Sequence, residues 1–75
     1  MQINMANKAI NRLKAVLAER NTTNKWLAEK LDKNETTISR WCTNEVQPSM
    51  DNLVAIATLL KVDVRELINP TKSKK

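Results

Sequence analysis

Apolar residues return every three or four positions along most of this chain, the spacing of amphipathic helices. Ile10, Leu13, Val16 and Leu17 open the pattern, with Arg12, Lys14, Glu19 and Arg20 elsewhere around the wheel. The spacing predicts a first helix from Asn7 to Glu19. Arg20-Asn21-Thr22 is polar and reads as a loop. Thr23 suits the N-cap of a second helix, Asn24 to Leu31, with Leu27, Ala28 and Leu31 facing inward. Asp32 and Lys33 form a tight turn. Asn34 then caps a third helix, Glu35 to Cys42, and Glu35 in its first turn suits the helix dipole. After the loop Thr43 to Pro48, Ser49 caps a fourth helix with a wide apolar stripe: Met50, Leu53, Val54, Ile56, Ala57 and Leu60. Asp63-Val64-Arg65-Glu66 has the form of a capping box. It predicts a short fifth helix carrying Val64, Leu67 and Ile68 and ended by Asn69-Pro70. The expected fold class is all-α, a five-helix bundle in one domain over residues 1–70. Residues 71–75 are expected to form a basic, disordered tail.

The turns add one constraint. Asp32 and Asn44 each follow a helix where the chain must turn sharply, and the chain has no Gly. Asp and Asn tolerate left-handed backbone better than most residues, so both are expected there.

The third helix is unusual because most of it has nothing to bury. With Ile38 centred on the inner face, Trp41 and Cys42 fall beside it. Thr36, Ser39, Arg40 and Thr43 fall on the far side, and Glu35 projects from the N-terminal end. That outer face carries hydroxyls and a guanidinium. It suits a helix lying in the major groove of DNA, where Arg pairs with guanine, Ser and Thr reach either edge, and Glu accepts from cytosine. Ala28 is small enough to let the second and third helices cross closely. The pattern is equally compatible with a solvated helix in a small bundle.

Composition narrows the classes. The chain has no His and one Cys, Cys42, which excludes a Cys/His zinc site and a disulfide scaffold. With no Gly there is no glycine-rich phosphate loop. The carboxylates are scattered, so no acid–base constellation emerges. Neither an enzyme nor a cofactor is expected. No apolar run is long enough to span a membrane, and no signal peptide is expected at the start. The expected location is the cytoplasm, in association with the nucleoid. The net charge of +5 owes three positives to Lys72, Lys74 and Lys75; the rest of the chain carries +2. Charge alone favours nucleic acid only mildly.

The run Thr23-Asn24-Lys25-Trp26-Leu27-Ala28-Glu29-Lys30-Leu31, followed by Ile38-Ser39-Arg40-Trp41, resembles the phage repressor/Cro-type, XRE-like helix-turn-helix family. Pro48 to Leu53, Ala57 to Leu60 and Val62 to Ile68 are similar to that family's later helices. The likeness spans about residues 8 to 69. It implies a lambda-repressor-like bundle, with the helix-turn-helix in helices two and three. It also implies base contacts by Glu35, Thr36, Ser39 and Arg40. The implied backbone contacts are Asn24, Lys33, Thr37, Thr43, Asn44 and Gln47. Asp32, Lys33 and Cys42 depart from the family's usual residues, and Glu45 would set a like charge against phosphates.

The resemblance implies a sequence-specific regulator of double-stranded DNA, a repressor acting as a homodimer. Val64, Leu67 and Ile68 are candidate dimer contacts. Two rivals stand beside it. One is the antitoxin of a toxin–antitoxin pair, with a toxin as protein partner. The other is an interaction module that has lost DNA and uses Trp26 as its anchor.

Overall fold

The computed structural model describes residues 9–72. Among them are four α-helices: α1 (Leu13–Glu19), α2 (Asn24–Leu31), α3 (Glu35–Cys42) and α4 (Met50–Leu60). A 3-10 turn, Val64–Leu67, follows them.

The caps explain the boundaries. The Thr23 hydroxyl accepts from the Trp26 amide at 3.0 Å, and the Asn34 side-chain oxygen accepts from the Thr37 amide at 2.9 Å. The Ser49 hydroxyl accepts from the Asn52 amide at 3.1 Å. Each satisfies one donor that a helix start would otherwise leave bare. α2 ends with Asp32 in left-handed backbone (φ 57°), and the Lys33 amide donates back to the Ala28 carbonyl at 2.9 Å. Asn44 is left-handed as expected (φ 64°), and so, unforeseen, are Asn21 and Lys61.

Asp32 is a compromise. It holds a conformation that costs a residue with Cβ roughly 1–2 kcal/mol, and it sets a carboxylate at the negative end of α2. Asp32→Gly is therefore expected to stabilise the fold by about 1 kcal/mol, after its larger unfolded-state entropy is deducted. Denaturant titration at constant m-value checks this. A lower midpoint would mean that the Asp32 side chain contributes more than its backbone strain.

Two expectations change at the chain ends. α1 starts at Leu13, not at Asn7; Asn7 and Lys8 lie outside the described residues, and residues 9–12 are not helical. Asn11 pairs antiparallel with Ile68. The Arg12 amide donates to the Leu67 carbonyl, and the Asn69 amide to the Ile10 carbonyl, both at 2.9 Å. The Asn11 side chain also accepts from the Leu13 amide at 2.9 Å, the local competition by which Asn opposes helix. The fifth helix is the single 3-10 turn, with its Asp63/Glu66 capping box present, and Ile68 is extended. Pairing of Ile68 with the segment before α1 leaves no length for a further helical turn.

The core joins Leu13, Val16 and Leu17 of α1 to Leu27, Ala28, Ile38 and Trp41 of α2 and α3, and to Leu53, Ile56, Ala57, Leu60 and Leu67. Leu67 is fully buried, which removes it from the candidate dimer contacts; Ile68 is 37% exposed. Met50 (70% exposed) and Val54 (53%) lie outside the core, so the inner stripe of α4 is narrower than its apolar sequence.

Candidate nucleic-acid interface

α2 and α3 are joined by Asp32, Lys33 and Asn34 and pack through Leu27, Ala28, Ile38 and Trp41. Ile38 is fully buried and Trp41 is 4% exposed, which fixes the rotation of α3 about its axis. That rotation turns Glu35, Thr36, Ser39, Arg40 and Thr43 outward together, all exposed. Thr37 is half-buried; its hydroxyl donates to the Asn34 side chain at 3.0 Å and keeps its lone pairs for other donors. The Thr43 hydroxyl donates to the Arg40 carbonyl at 3.2 Å.

Arg40 lies 3.9 Å, Nε to carboxylate oxygen, from Glu45, with both side chains more than half exposed. Such a pair is loose and screened by salt, so it leaves the guanidinium free to turn to a stronger acceptor.

Asn24 opens α2. Its side-chain oxygen accepts from the Cys42 thiol at 3.5 Å, which leaves the amide NH2 to donate outward. Burial pushes the Cys42 thiol up from its ordinary pKa, and nearby Lys14 partly opposes this. Cys42 thus stays a neutral packing group at physiological pH, as its sequence position suggests.

The loop after α3 is held from within. The Asn44 side-chain oxygen accepts from the backbone amides of Ile10 and Asn11, both at 2.9 Å. Its NH2 donates to the Asn11 carbonyl at 3.1 Å. The Gln47 side-chain oxygen accepts from the Asn11 side-chain NH2 at 2.7 Å, and the Gln47 NH2 donates to the Asn44 side-chain oxygen at 3.0 Å. Asn11 itself is 3% exposed and also donates to the Trp41 carbonyl at 3.0 Å. Asn44 therefore spends both ends of its amide on the strap before α1 (residues 9–12), while Gln47 spends its oxygen there and its NH2 on Asn44. Asn11, missed in the sequence because it sits inside a helical repeat, links that strap to the end of α3. Lys33 is exposed in the turn before α3.

Trp26 is half-buried against the core, and the Lys30 ammonium lies 5.9 Å from its ring centre. It covers the edge of the bundle rather than standing free as an anchor.

A family model described as helix-turn-helix matches residues 13–67. The chain belongs to the helix-turn-helix family. The match covers α1 to the 3-10 turn and contains every candidate contact. A solved structure of a candidate DNA-binding protein from Bacteroides fragilis is similar to this helix-turn-helix chain at 62% identity and a TM-score of 0.79. The likeness covers 80% of this chain and 97% of that one. No curated protein sequence matches the chain. Among the described residues, no helix is long and apolar enough to cross a membrane, and no cluster of His, Cys, Asp and Glu fits a metal ion.

Proposed function

We propose that the chain is a sequence-specific, double-stranded DNA-binding regulator that acts as a repressor by covering promoter DNA. The observation that carries this is the outer face of α3, where Glu35, Thr36, Ser39 and Arg40 stand exposed while Ile38 and Trp41 lock the helix from beneath. The B. fragilis neighbour's description supports the DNA-binding part of this reading.

In this reading α3 enters the major groove and the four exposed side chains meet base edges. Asn24, Lys33, Thr37 and Thr43 grip the backbone on either side and fix the register. Asn44 and Gln47 act through the loop shape they fix. Two copies on paired half-sites, about 34–36 Å apart, supply specificity over a longer site.

Arg40→Ala is expected to weaken binding to the preferred duplex by about 1–3 kcal/mol and to relax base choice at one position. Titration of the two proteins against a panel of duplexes measures both effects. Equal weakening on every duplex would make Arg40 a phosphate contact instead.

Glu45→Gln removes a carboxylate from beside the proposed backbone path and releases Arg40. Binding to all duplexes should tighten roughly fivefold at low salt, and the gain should shrink as salt rises. Unchanged affinity at low salt would place Glu45 away from the phosphates.

A further inference from the structure

α4 has an outer face that the domain leaves uncovered. At about 100° per residue, Met50, Val54 and Thr58 form one row along it, flanked by Asp51 on one side and close to Lys61. Met50 is 70% exposed and Val54 53%, and Asp51, Thr58 and Lys61 are exposed. The Thr58 hydroxyl donates to the Val54 carbonyl at 2.9 Å, so covering this face leaves that donor satisfied. Asp51 sits in the first turn of α4 and Lys61 at its C-cap, about 15 Å apart along the helix. The row therefore carries Met50 and Asp51 at its N-terminal end, Val54 and Thr58 in its middle and Lys61 at its C-terminal end.

That arrangement is self-complementary. A two-fold axis through the level of Ile56 sets Val54 opposite the partner's Thr58. It also sets Asp51 opposite the partner's Lys61, twice over, as isologous contacts require. We propose that the outer face of α4 binds a second copy of this chain with the two helices antiparallel, Asp51 of each copy against the partner's Lys61. The surface rests on the paired-half-site reading above and says which face makes the pair. None of its residues belongs to α3 or to the start of α2, so the proposed DNA contacts stay open. Two short helices side by side make a small interface, at the weak end of the specific range. The pair is thus weak in free solution and tightened on DNA by proximity.

Sedimentation equilibrium of the full chain over a wide concentration range tests this, with circular dichroism confirming that each variant is folded. The 8.6 kDa chain is expected to approach twice its mass as concentration rises. Asp51→Lys should weaken association about tenfold by setting two cations together at both ends. Asp51→Lys with Lys61→Asp should restore it. Val54→Lys should abolish it and serves as the second variant should Asp51→Lys unfold. Folded variants should still bind a duplex carrying one half-site, identified by selection with the wild-type chain. A wild-type chain that stays monomeric at every concentration would overturn the proposal, as would a double variant that is folded but not restored. Either result alongside retained duplex binding would leave the DNA reading standing. Loss of duplex binding by a chain that still pairs would instead overturn that reading alone.

Discussion

Replacing Ile38 by Ala is expected to cost about 2–5 kcal/mol of folding stability, the range for emptying a fully buried aliphatic site. Ile38 is fully buried, beneath the middle of α3 and among residues of the same core as Leu27, Ala28 and Trp41. Its loss would leave a cavity between the two helices of the motif. A domain this small has little stability to spare, so the variant should show a much lower denaturation midpoint or fail to fold. Ile38→Val, losing one methylene, should cost about 0.5–1.5 kcal/mol and give a measurable folded protein. Unchanged melting of Ile38→Ala would mean that α3 is not anchored at this position. The outward rotation of Arg40 and Ser39 would then lose its support.

Asn44→Ala should cost about 2–4 kcal/mol, from two separate causes. The first is backbone: Ala pays to hold a φ of 64° that Asn tolerates. The second is the loss of an acceptor for the Ile10 and Asn11 amides and of a donor to the Asn11 carbonyl. Asn44→Gly separates them, because Gly adopts the backbone freely and should lose only the hydrogen-bond part, about 1–3 kcal/mol. Thermal denaturation of both variants measures the difference. Equal stability of wild type and Asn44→Ala would show that the strap is not held by this side chain. With the strap intact, the folded fraction of Asn44→Gly should bind DNA nearly as the wild type does. A folded variant with much weaker binding would give Asn44 a phosphate contact of its own.

Local signals were legible where local physics decides. Thr23, Asn34 and Ser49 are good caps in any context, and the helices that follow them begin where those residues place them. Ile38 and Trp41 fixed the inner face of α3 by spacing alone, and burial agrees. Features set by distant parts of the chain were not legible. Asn11 looked like a polar position on a helix, whereas its partners are Ile68, Trp41 and Gln47, far along the sequence. The periodicity of Ile10, Leu13 and Val16 could not reveal that the first of them lies in an extended segment.

Apolar character also overstated burial on α4, because an exposed Met or Val reads the same in sequence as a buried one. Spacing did not decide Trp26, which could cover the edge of the bundle or mark an interface patch. Its wheel position points outward, but its large ring leans back over the core. At the candidate interface, the exposure of the outer face of α3 was readable from spacing. The commitment of Asn44 and Gln47 to the strap was not, since their residue types suit a phosphate as well as a backbone amide.

The most direct test of the central claim is a selection from random duplex DNA at near-physiological salt, with wild type and Arg40→Ala in parallel. The wild type is expected to enrich a two-fold symmetric motif that blurs at one position per half-site in the variant. Uniform binding without a motif, lost alike for all sequences as salt rises, would contradict it.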